Sequence, residues 1–172
     1  MASIWTTPRT WSAEVATPTH FNDHVSKNFL AIRHVKSLAT EGIVVNNSTA
    51  FENLTGLSFK VRDGETWTFE ATVYFVTNAA ADAKFTVIAP TGSVGRFGVL
   101  HNGVTNLSFT NVFGDPITLS VAGTDEETAT VMGLVAVVAD GVVQIQGSQL
   151  AATVVNTTFY AESAIQAHRR DI

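Results

Sequence analysis

The sequence predicts a mainly β protein: an antiparallel sandwich of jelly-roll type, preceded by an extended N-terminal arm and one helix. Three observations predict it. Alternating apolar and polar residues dominate from Ile43 onward, and clusters of Gly, Pro, Asn and Asp punctuate them at short intervals. Only residues 17–41 carry apolar groups at helical spacing. The composition, 45% hydrophobic and 15% charged over 172 residues, favours strands and a self-associating surface.

The arm, within residues 1–16, holds Trp5, Pro8, Trp11 and Val15 among Thr and Ser, with neither periodicity. Two indole rings are costly to leave in water, so the arm is expected to dock on a neighbouring subunit or a larger assembly, with a tail folded back on its own domain as the alternative. Thr17 as N-cap and Pro18 at the first helical position then start a helix. Phe21, Val25, Phe29, Ile32 and Val35 recur at spacings of three and four, and Gly42 supplies the stop after Glu41. Set in heptads, Val25 and Ile32 fall at a, with Asn28 and Val35 at d, so Asn28 would fix the register of a short coiled coil. An amphipathic helix lying on the sandwich fits the same spacing. Residues 1–42 are thus expected to form an attachment unit and residues 43–172 a head.

In the head, Leu57, Phe59 and Val61 alternate with Ser58 and Lys60, and Asp63-Gly64 suggests a hairpin turn. Trp67, Phe69, Ala71, Val73 and Phe75 then alternate with Thr and Glu in the clearest strand of the chain. Further strands are expected at residues 83–89, 95–100, 106–111 and 117–121. Residues 130–139 break the alternation, with apolar groups on both faces. A strand of that kind is covered on both sides, so Val131, Leu134, Val135 and Val137 are expected at a subunit interface. Asp140-Gly141 suggests a second hairpin, into residues 142–147, and the last strand is expected to run unbroken from Phe159 to His168. Roughly nine to ten closely spaced strands indicate a sandwich or jelly roll.

Composition also bears on function. The net charge of −5 and the lack of any basic run beyond Arg169-Arg170 argue against nucleic acid as partner. Without cysteine there is no disulfide, Fe–S or thiol chemistry. The N-terminus does not read as a signal peptide and the longest apolar run is far below the ~20 residues of a membrane span, so a soluble chain made in a cytoplasm is expected.

Candidate chemical constellations are sparse. His20 and His24 lie at i and i+4, a metal-ligand spacing that two solvated histidines share. Gly92, Gly95 and Gly98 around Arg96 lack the strand–loop–helix context of a phosphate loop. Asp125-Glu126-Glu127 does not form a calcium loop, and Glu70 with Asp82 is an unmarked carboxylate pair. The Asn-x-Ser/Thr triplets at Asn46, Asn47, Asn53, Asn106 and Asn156 are expected from composition. Tyr74, Tyr160 and the loop around Asn102 are candidates for sugar contact. Neither a catalytic centre nor a cofactor is expected.

Two segments carry a resemblance. Thr10-Trp11-Ser12-Ala13-Glu14-Val15-Ala16-Thr17-Pro18, followed by Phe21-Asn22-Asp23-His24-Val25-Ser26-Lys27-Asn28-Phe29-Leu30, resembles the opening of many tailed-bacteriophage structural proteins, with Ala13 where that pattern has Gly. Asp63-Gly64-Glu65-Thr66-Trp67-Thr68-Phe69, with Thr157-Thr158-Phe159-Tyr160-Ala161-Glu162-Ser163, is similar to the trimeric jelly-roll heads of phage fibres and decoration proteins. The resemblance implies a non-enzymatic virion protein assembled in the host cytoplasm. Its arm and helix (Trp5, Pro8, Trp11, Phe21, Val25, Asn28, Phe29, Ile32) would attach to other virion proteins, and its β head would form a homotrimer. A receptor- or carbohydrate-binding head, meeting a host-surface glycan, is the alternative; a polysaccharide depolymerase is disfavoured by the short chain.

Overall fold

A computed structural model describes residues 33–37, 42–102 and 107–170. Those residues build twelve strands. They are β1 (Arg33–Ser37), β2 (Ile43–Val45), β3 (Glu52–Val61), β4 (Thr66–Val76), β5 (Ala83–Ile88) and β6 (Val94–His101). The rest are β7 (Leu107–Thr110), β8 (Ile117–Leu119), β9 (Glu126–Ala136), β10 (Gly141–Gln149), β11 (Thr157–Phe159) and β12 (Ala164–Arg170).

The strands form two antiparallel sheets. One runs β1-β12-β4-β9-β6-β7, with β11 pairing β4 and β2; the other runs β3-β10-β5-β8. Four of the pairs nest: β1 with β12, β3 with β10, β4 with β9 and β5 with β8. The β6–β7 pair is inserted between β5 and β8 and extends the first sheet past β9.

Period-two alternation puts the core between the sheets. Trp67, Phe69, Ala71, Val73 and Phe75 of β4 face Leu57, Phe59, Val61, Phe85, Val87, Val143 and Ile145 of the opposite sheet, all buried. Aromatic contacts join the layers at both ends. Phe59 meets Trp67 at 5.4 Å and Phe69 at 5.8 Å between ring centroids, and Phe85 meets Phe75 and Phe159 edge-on at 5.5 and 5.7 Å. Phe69 and Phe159 reach these positions because they lie over Gly133 and Gly147, where a Cβ would come within 2.6 Å of each ring.

Several expectations change here. Arg33–Ser37, the end of the predicted helix and the site of its Val35 position, is a strand paired with Ala164–His168. The free backbone edge of β12 offers a full ladder there, which a weak helical spacing rich in β-branched residues does not outweigh. The remainder of that helix lies outside the described residues.

Neither Asp-Gly turn is a hairpin. Each hands the chain from one sheet to the other: β3 pairs β10 and β4 pairs β9. Turn chemistry specifies a reversal, not which neighbour the next strand takes. Gly64 has φ +79°, and the two turns bind one another through the Asp63 N–H and an Asp140 carboxylate oxygen at 2.9 Å. The last strand is also broken. Phe159 stands opposite Phe75 but Ala164 opposite Thr72, so the chain bulges through a turn at residues 160–163. Ser163, buried there, accepts the Tyr74 N–H at 3.0 Å.

Candidate interaction surface

The outer face of the larger sheet is built from the strand residues that the core does not use. Across β4, β9 and β6 it presents Thr68, Glu70, Thr72 and Tyr74, then Leu134, Met132, Thr130 and Thr128, then Arg96, Gly98 and Leu100, set side by side by the register. Met132 and Leu134 are half-buried by their neighbours in the sheet, while Val94 is 63% and Phe109 58% exposed. Phe109 lies over Gly98, where a Cβ would meet its ring at 2.5 Å. An aromatic ring spread over a glycine is thereby held on the outside of the sheet, beside Met132.

Val131, Val135 and Val137, predicted at a subunit interface, point the other way. All three are buried within the chain's own core. Of that predicted set only Leu134 lies on the outer face. Both faces of β9 are apolar, as the sequence indicates, but one of them is satisfied by the opposite sheet. The signal that separates them is the period of two: Val131 and Val135 share one face, Met132 and Leu134 the other. Phe109, Val94 and Arg96 were not among the predicted interface residues, because only the inserted β6–β7 pair brings them beside β9.

At the far end of the sheet, on its core side, a polar cluster joins the end of β6 to β9. Glu127 accepts from His101 Nε2 at 3.1 Å and from the Asn102 side-chain amide. Asn102, at φ +46°, closes a two-way bridge with Thr128: its N–H donates to the Thr128 carbonyl at 2.7 Å and its side-chain oxygen accepts the Thr128 N–H at 2.8 Å. Tyr74 stands opposite Thr128, and its carbonyl accepts the Tyr160 N–H at 2.9 Å. The candidate sugar-contact residues Tyr74, Tyr160 and Asn102 therefore gather at one end of the sheet. A shallow depression of about 180 Å³ lies nearby on the outer face, lined by Glu70, Thr72, Ala164, Ile165 and Gln166.

The opposite end is clasped by Glu65. Its buried carboxylate accepts from Trp67 Nε1 at 2.9 Å, from the Arg62 N–H at 2.9 Å and from Arg169 at 3.1 Å. Its main chain meanwhile bonds Val137, the residue after β9. One side chain thus ties β4, β12 and the turn after β3 together.

The other constellations disperse. Glu70 sits mid-sheet between Met132 and Gln166, whereas Asp82 accepts the Val121 N–H at 2.8 Å. Gly95 and Gly98 belong to β6, with no helix after it. Among the described residues no group of three or more His, Asp or Glu is placed to hold a metal ion, and no helix is long and apolar enough to cross a membrane. Trp5, Pro8, Trp11, His20, Phe21, His24, Val25, Asn28, Phe29 and Ile32 lie outside the described residues.

No protein-family model matches the chain, and no curated protein does either. Among solved structures, one of the infectious bursal disease virus Gx strain is similar at 8% identity and a TM-score of 0.22, over 81% of this chain and 37% of that one. The VP2 subviral particle of infectious bursal disease virus is similar at 15% identity and a TM-score of 0.24, over 81% of this chain and 41% of that one. The chain spans about two fifths of the length of those proteins.

Proposed function

We propose that this chain is a non-enzymatic structural subunit of a virion, that of a tailed bacteriophage, built as a jelly-roll head that trimerises and an N-terminal arm that attaches it. The nested pairing of β1 with β12, β3 with β10, β4 with β9 and β5 with β8 supports the jelly-roll reading, since a long hairpin rolled over on itself pairs its strands in that way. The association reading is carried by one observation. The outer face of β9 and its neighbours leaves Val94 and Phe109 exposed and Met132 and Leu134 half-exposed although the core is already complete. Burial of apolar area at roughly 25 cal/mol per Å² is the driving term for covering them. The arm's role rests on the Trp5, Pro8 and Trp11 segment and its resemblance to phage structural proteins.

The test is the mass of the full chain in solution by light scattering, together with that of Leu134→Glu. Three times 18.4 kDa, falling to a single chain in the variant with an unchanged β-type circular dichroism spectrum, is the expected result. A full-length chain that stays single at every concentration refutes the reading.

A second reading, a carbohydrate-binding head, is favoured by the gathering of Tyr74, Tyr160 and Asn102 at one end of the sheet. It predicts saturable glycan binding that Tyr74→Ala abolishes without changing the mass in solution.

A further inference from the structure

The outer face of the larger sheet is polarised along its strands. Arg96 is exposed on β6 in register with Leu134 and Thr68, and Arg170, also exposed, pairs with Thr66 at the same end. Eight residues farther along β4, about 27 Å at strand rise, Val76 stands opposite exposed Glu126. Exposed Glu162 lies at that end too, in the turn before β12. Each end also carries apolar groups: Leu134 and Val94 beside Arg96, and Val44, 54% exposed, on β2 beyond β11. Exposed Glu70 lies between the two ends.

We infer that a second copy of this chain docks here head to tail, with the Arg96 end of one copy against the Glu126 and Glu162 end of the next. The inference rests on the proposal that copies associate through this face and adds the sense in which they meet. Two like ends brought together would oppose Arg96 to Arg96, which costs affinity, whereas unlike ends bring opposite charges and apolar groups together. A contact between two different patches of one chain is heterologous, and such contacts form a ring where the rotation closes and an open filament where it does not. In a ring of three, the strands of each head then run around the symmetry axis and not along it.

The experiment is charge reversal with the full chain, read as the dissociation constant by sedimentation at low salt. Arg96→Glu alone, and Glu126→Arg with Glu162→Arg, should each weaken association at least tenfold. The three substitutions together should restore it to within about threefold of the parent. Circular dichroism on each variant establishes that the fold persists. The parent complex should also weaken as salt rises. An oligomeric parent whose affinity ignores the reversals, or a triple variant weaker than either partial one, overturns the head-to-tail docking and leaves association through the face standing. A parent that is a single chain throughout overturns both.

Discussion

Glu65→Ala tests whether the sandwich end is held by one buried carboxylate. The substitution removes the acceptor of the Trp67 indole N–H and the Arg62 N–H, and takes away the negative charge beside Arg169, whose side chain is only 15% exposed. Losing one member of a buried ion pair costs about 3–5 kcal/mol, because the partner's charge remains in a poorly solvated place. For a chain of this length that is a fall in melting temperature of roughly 6–20 °C. Glu65→Gln keeps the size and one acceptor for Trp67, so its cost should be smaller, about 1–3 kcal/mol. Denaturant titration followed by Trp fluorescence reads both. A cycle with Arg169→Ala isolates the pair, with an expected coupling of about 0.5–3 kcal/mol. A Glu65→Ala cost below 1 kcal/mol, or no coupling with Arg169, would refute the clasp.

Three further outcomes follow from the packing. Gly133→Ala drives a methyl into the Phe69 ring and to 2.7 Å from the Arg96 carbonyl, so a loss of about 1–3 kcal/mol is expected on unfolding, and a neutral result would contradict the ring-over-glycine packing. Gln144→Met should cost about 1–3 kcal/mol, since the Gln144 amide donates to the Leu54 and Leu57 carbonyls (3.1 and 3.2 Å) where β3 bulges around Gly56. Faster hydrogen exchange confined to β3 and β10 is the accompanying sign. Phe85→Ala should cost about 3–5 kcal/mol by opening a cavity between Phe75 and Phe159, measurable as a shifted denaturation midpoint.

The strands were legible wherever one face is wet. β4 alternates without error, and each of its five predicted inward residues is buried. Pairing was not legible, because it is decided by contacts between distant segments. Nothing local to Asp63-Gly64 says that β4 will join β9 and not β3. The same limit explains Arg33–Ser37, whose spacing suits a helix but whose neighbour, β12, lies at the other end of the sequence. The break at residues 160–163 was hidden because Phe159, Ser163, Ile165 and Ala167 still fall on one face across it. For the surface, the apolar character of β9 was readable, but assigning its two faces needed the inward position of Val131 and Val135. Phe109 carried no signal at all, because its neighbour Met132 is supplied by strand order.

Light scattering of the intact protein, with and without Leu134→Glu, weighs the central claim most directly. The account predicts an assembly of three chains that the substitution dissolves into folded single ones. A parent that elutes as one chain, or an assembly indifferent to a charge at Leu134, would contradict it.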